Sequence, residues 1–160
     1  MKLKLYIETS VVSYLVGRAS TNTVIAGHQA ATQELWVILK HKFIPHISDL
    51  VLQEAADGAP ELAALRIEAL KDIPVLDVDR DVEMLAQLLI DRKAVPRKCP
   101  EDAVHIAVAS VNKIDLIATW NFKHINNPAM KQRMREVLAD ANYILPEICS
   151  PDELLEVDDE

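Results

Sequence analysis

The chain has 160 residues, half of them hydrophobic, 4% aromatic and 26% charged, with a formal net charge of −8. That length allows one domain with a real core, and the profile excludes a disordered chain. No stretch of roughly 18 uncharged apolar residues exists, so no membrane span is expected, and the acidic balance weighs against casual nucleic-acid binding, which usually uses a basic face.

The N-terminal MKLKLYIETS is too short and too soon acidic for a signal peptide. Within it LKLYI (3–7) alternates and then turns apolar, the pattern of a buried strand ending at Glu8. Thr9 or Ser10 is expected to cap a helix over about 9–17, stopped by Gly17. After the polar loop RASTNT (18–23), apolar spacing from Val24 to about Lys40 favours a long helix. A second strand follows near 43–47, where Pro45 argues against a central hydrogen-bonded position or for a bent strand. Ser48 and Asp49 open a short helix that Gly58 stops. Pro60 opens another.

VLDV (75–78) is a third strand, and Asp79 caps a helix through about Arg92. Pro96 to Pro100 form a loop. The helix 101–112 is opened by Pro100, Glu101 and Asp102 and is almost wholly apolar beyond them. A strand over 115–119 runs into TWNFKH. A helix over Pro128 to Asp140, a short strand within YILPEIC (143–149) and a last turn at Ser150 complete the chain. One domain is expected over 1–155. The remaining acidic tail, 156–160, carries four acids in EVDDE. Cys99 and Cys149 lack a metal-binding spacing and form no CxxC, so they are expected as reduced thiols of a cytoplasmic protein.

Strands alternating with helices imply an α/β fold, with parallel pairing, right-handed crossovers and helices on both faces. Ligands of such sheets bind beyond the C-terminal strand ends. Glu8 ends the first strand, Glu54 lies in the helix after the second, Asp102 opens the helix before the fourth, and Asn121 follows the fourth. All four can converge on one edge.

Each acid also has a plainer explanation. Glu8 could simply complement a helix N-terminus. Glu54 could face solvent from an otherwise apolar helix, and Asp49 suits a capping role. Glu101 and Asp102 could both be capping acids, but Asp102 shares a face with His105, Ile106 and Ala109 and so points inward. His105 itself suits a hydrogen-bonded core residue. Three carboxylates within about 5 Å would repel by several kcal/mol without a cation. An oxygen donor set of this kind suits Mg2+ or Mn2+, which can assist attack on a phosphoryl group.

YIETSVVSYL, ISDLVLQEAADG and PEDAVHIAVASVNKIDLIATWNFKHI, in this order and spacing, resemble the PIN-domain ribonucleases, including the VapC-type toxins of toxin–antitoxin pairs. The resemblance covers nearly the whole chain. It implies a three-layer α/β/α sandwich around a parallel sheet of about five strands. It implies metal-dependent hydrolysis of RNA, with Glu8, Glu54 and Asp102 as the catalytic and Mg2+ (or Mn2+) ligands and Ser10 in support. An antitoxin partner, and possible homodimerisation through helices 24–40 and 60–71, follow from the same likeness.

Two departures from the family pattern matter. Glu8 is one methylene longer than the usual Asp, about 1.5 Å. Where the family has a later acid, Asn121 and His124 stand, which favours a single metal ion, with Asn121 offering a carbonyl oxygen. Arg97, Lys98 and Lys123 are the candidate RNA-backbone contacts, together with Lys131, Arg133 and Arg135, and Arg18 is a weaker one. The competing reading is a degenerate PIN module that binds RNA or a protein without cutting. A hydrolase with an aspartyl nucleophile would need Asp where Glu8 stands.

Overall fold

A computed structural model of the chain describes residues 1–158; the last two positions of the predicted acidic tail lie outside the described residues. Five strands form, β1 (Leu3–Ile7), β2 (Phe43–Ser48), β3 (Val75–Leu76), β4 (Leu116–Ala118) and β5 (Glu147–Cys149). The helices are α1 (Thr9–Val16), α2 (Thr23–Lys42), α3 (Asp49–Ala55), α4 (Pro60–Leu70), α5 (Arg80–Asp91), α6 (Pro100–Val111), α7 (Pro128–Asp140) and α8 (Pro151–Leu155). Most helix starts follow from short polar caps. Asn22, Ser48, Asp79 and Asn127 accept from backbone amides of the first turns of α2, α3, α5 and α7, each such cap being worth about 1 kcal/mol. The cap of α1 is Glu8 itself, whose side chain accepts from the Ser10 amide, rather than the expected Thr9 or Ser10.

The sheet order is β3-β2-β1-β4-β5 and every pairing is parallel. The chain moves outward from β1 to β3, returns through α5 and α6 to β4, and continues to β5. Right-handed crossovers place these two sets of helices on opposite faces. Their packing agrees: α1 lies against α2, α3 and α4, whereas α5 lies against α6 and α7. The result is the three-layer α/β/α sandwich read from the sequence. The direction of winding reverses between β1 and β4, and open α/β sheets bind ligands beyond the C-terminal strand ends at such a point.

The core follows from the apolar strands. Leu5, Tyr6 and Ile7 of β1 and Ile117 and Ala118 of β4 are fully buried. α6 contributes Ala103, Ile106, Ala107, Val108 and Ala109, also fully buried; the small residues let it lie close to the sheet. Burying one side chain the size of Ile106 or Ile117 is worth about 1.5–3 kcal/mol. Of the described tail residues, Val157 packs against the same cluster while Glu156 and Asp158 are exposed. No helix among the described residues is long and apolar enough to cross a membrane.

Some strand bounds differ from the expected ones for local reasons. β2 sits between two strands despite Pro45, because β3 pairs with Ile47 and Ser48 alone. The Ile47 amide points to β3, donating to the Pro74 carbonyl. The nitrogen of Pro45, two residues earlier, points the same way, before β3 begins, so no ladder bond is lost. β3 stops at Leu76, and the Val78 amide donates instead to Asp49 Oδ2. β5 is confined to Glu147–Cys149, since Pro146 has no amide to donate and Ile144 is exposed.

Candidate metal centre

The turn from β1 into α1 positions two acids at once. Glu8 is 6% exposed. Its Oε1 accepts from Thr119 Oγ1 at 2.6 Å and from the Ser10 hydroxyl, and its Oε2 accepts from the Ser10 amide at 3.1 Å. Thr9 Oγ1, one residue on, donates to Glu54 Oε1 at 2.7 Å. Ser10 also fastens the end of β4, its Oγ accepting from the Trp120 amide at 2.9 Å. Its supporting place is therefore structural in geometry: it holds Glu8 and the β4 exit together.

Glu54, in the last turn of α3, receives His105 Nε2 at 2.7 Å on the same Oε1. Burial works against its charge, but the His105 hydrogen bond and charge and the Thr9 hydroxyl outweigh this and hold its carboxyl below the ordinary value. His105 is 1% exposed. Burial opposes its protonation, yet the Glu54 bond and the charges of Glu8, Glu54 and Asp102 hold it above the ordinary value. One ring thus senses all three acids. His105 is a hydrogen-bonded core residue, as the sequence suggests, and it also bonds Glu54 directly, a contact the sequence does not disclose. On its inner side Nδ1 meets the Tyr6 hydroxyl at 2.7 Å, and that hydroxyl meets Ser48 Oγ at 2.8 Å. Burial first, then the charges of Glu8 and Glu54, keep the Tyr6 phenol well above its ordinary value despite the Ser48 bond.

Asp102 stands in the first turn of α6, its side chain mostly buried and turned toward the loop after β4. His124 Nδ1 lies 3.0 Å from Oδ2, and Asn121 Nδ2 donates to Oδ1 at 3.3 Å. Burial is the largest influence on its carboxyl. With the Glu8 charge it outweighs the favourable charges of His105 and His124 and holds the group above its ordinary value. A cation would relieve that penalty. Asn121 also organises the loop, its Oδ1 accepting from the His124 amide at 2.9 Å and its own amide donating to Thr119 Oγ1 at 3.0 Å.

Glu8 and Asp102 are linked through Thr119 and Asn121 at the C-terminal ends of β1 and β4, Glu54 is tied to the same turn by Thr9, and Glu101 is exposed. Lys98 and Lys123 are exposed beside Cys99 and His124. Arg97 Nη2 lies 3.8 Å from Asp91, which directs it partly away. The sequence reading missed Thr9 and Thr119, each a short polar side chain next to a strand end. It also missed Cys99. This residue precedes α6, three positions before Asp102, and the ligand atoms of Cys99, Asp102 and His124 all lie within 4.8 Å of one another, a group able to hold a metal ion.

No family model and no curated protein matches this sequence. Solved structures do match. VapBC2 from Rickettsia felis, in a structure bound to a DNA fragment from its promoter, is 13% identical with a TM-score of 0.60, over 92% of this chain and 98% of that one. VapC20 of Mycobacterium tuberculosis, a sarcin–ricin-loop-cleaving toxin, is 18% identical with a TM-score of 0.57, over 75% of this chain and 92% of that one. The chain has the PIN-domain fold of the VapC-type toxins. Within this fold Glu8 follows β1, Glu54 lies in α3, Asp102 lies in the first turn of α6, and Asn121 and His124 lie in the loop after β4.

Proposed function

We propose that this PIN-fold protein is a metal-dependent endoribonuclease, the toxin of a type II toxin–antitoxin pair. The observation that carries the reading is the hydrogen-bonded chain at the exits of β1 and β4, in which Thr119 bonds Glu8, Asn121 bonds Thr119 and Asp102, and Thr9 and His105 bond Glu54. Glu8, Asp102 and Glu54 are the ligands of Mg2+ or Mn2+. The donors fit: all are carboxylate oxygens, Glu54 Oε1 alone takes both Thr9 and His105, and Asp102 carries a penalty that a cation removes. A bound ion supplies positive charge to a reacting phosphodiester and to an attacking water. The protein's part is orientation. Thr119 and Ser10 fix Glu8, Thr9 and His105 fix Glu54, and Asn121 and His124 fix Asp102. Exposed Lys98 and Lys123, and less directly Arg97, are the RNA-backbone contacts of this reading.

The test is RNA cleavage by the purified protein with Mg2+ or Mn2+. Wild type cuts, a chelator stops it, and Asp102→Asn does not cut. Unchanged cleavage by D102N would refute the assignment.

One observation favours the second reading, a module that binds without cutting. Both oxygens of Asp102 already have partners within the protein, Asn121 and His124. Failure of the wild type to cut any RNA, with Mn2+ binding absent, would select it. The antitoxin is a proposal with a cheap check: a short neighbouring reading frame encoding a DNA-binding protein. Homodimerisation is a proposal supported by exposed Val24 and Val37 on α2 and Leu65 and Ile67 on α4, and light scattering tests it. A cytoplasmic location suits the two free thiols.

A further inference from the structure

We propose that Cys99, Asp102 and His124 form a second metal site, selective for a borderline transition ion of the zinc class and distinct from the carboxylate centre with which it shares Asp102. The nuclease reading is not needed for it; only the position of Asp102 is common to both.

The residue types come first. Thiolate, imidazole and carboxylate together are the donor set of Zn2+, whereas Mg2+ takes oxygen. Cys99 and Asp102 are three positions apart across the start of α6, and so share a side of its first turn. His124 arrives from the loop after β4. Ligand atoms on a tetrahedral zinc ion bonded at about 2.0–2.3 Å lie roughly 3.3–3.8 Å apart. The three atoms here lie within 4.8 Å of one another, and His124 Nδ1 is 3.0 Å from Asp102 Oδ2. A metal ion takes the place of the proton between that pair, and the gap opens by a few tenths of an ångström. His124 and Asp102 side chains are 13% and 15% exposed, so the site is sheltered yet reachable.

Among the described residues no hydrogen bond of the Cys99 side chain appears. The residue occupies the cap position of α6, but its side chain makes no capping hydrogen bond. Asn121 completes the arrangement without being a ligand: its amide donates to Asp102 Oδ1 and its carbonyl accepts from the His124 amide. Such outer partners hold metal ligands in orientation. Three protein ligands leave a fourth position for water or a phosphate oxygen, the open form typical of a reactive rather than a purely structural zinc site.

Cobalt(II) is the probe, added at one equivalent to the reduced full-length protein. The expected spectrum has an intense tetrahedral visible band and a near-ultraviolet sulfur-to-cobalt band, both erased by Zn2+. Cys99→Ser removes the sulfur band and weakens Zn2+ binding by more than about tenfold, since losing even an outer partner of a ligand costs roughly that much. Cys149→Ser leaves the spectrum unchanged. His124→Ala, in the loop, also loses the tetrahedral band and covers the case of a poorly folding C99S. Glu8→Gln keeps both bands, which separates this site from the carboxylate centre. No sulfur band in the wild type, a sulfur band that survives in C99S, or its loss in a folded E8Q would overturn the proposal.

Discussion

His105 links the acids at the sheet edge to the core: its Nε2 is 2.7 Å from Glu54 Oε1 and its Nδ1 2.7 Å from the Tyr6 hydroxyl. When the ring is protonated both nitrogens donate, and Tyr6 passes its own proton toward Ser48 Oγ at 2.8 Å. When it is neutral with the proton on Nε2, the Tyr6 bond reverses. The chain stays satisfied in either state, so a buried titrating ring is tolerated.

The metal-free protein should therefore show a defined pH dependence. His105 titrates above 6.5 in the folded state, so its contribution is complete below that pH and is lost as pH rises through the raised value. Glu54 titrates below 4.5, so its contribution is present above that pH and is lost as pH falls through the lowered value. The pair stabilises most between pH 4.5 and 6.5. His105→Gln leaves Glu54 and Tyr6 poorly matched and should cost about 1–3 kcal/mol. Denaturant melts across pH measure it: the gap between wild type and variant is widest inside that window and narrows on both sides.

Thr119 is fully buried and serves two partners, donating to Glu8 Oε1 and accepting from the Asn121 amide. Thr119→Val keeps the shape and removes both bonds. A loss of about 1–3 kcal/mol is expected, together with weaker Mn2+ binding because Glu8 loses its orientation. Thermal melts and calorimetry of the same sample read the two effects.

Asn121→Asp replaces an amide donor to Asp102 with a second acid. Repulsion should destabilise the metal-free protein by about 1–3 kcal/mol, and added Mn2+ should restore it. Affinity for Mn2+ should rise by roughly tenfold or more, as an added charge at contact distance allows. Melting with and without Mn2+ shows whether the sign reverses.

Much of this was legible in the residues. β1, α6 and β4 carry dense apolar runs that suit few other places than a buried sheet and its covering helix. The strand-end rule for open α/β sheets then brings Glu8, Glu54, Asp102 and Asn121 together. What was hidden depends on contacts between distant segments. β3 is only two residues long because Asp49 takes the Val78 amide. His105 is one apolar-face histidine among several plausible ones until Tyr6, 99 positions away, meets its Nδ1. Glu8 caps its own helix, a role its place beyond a strand does not suggest. Cys99 lacks a partner cysteine in sequence, and His124 reaches it only through the fold.

The central claim is that Glu8, Glu54 and Asp102 were brought together to hold a divalent ion. Calorimetric titration of the purified protein with Mn2+ tests it most directly, comparing wild type with Glu8→Gln, Asp102→Asn and Cys99→Ser. Clear binding is expected in wild type and in C99S, with its loss in E8Q and D102N while both remain folded. Equal binding in wild type, E8Q and D102N, or no binding to the folded wild type, would contradict it.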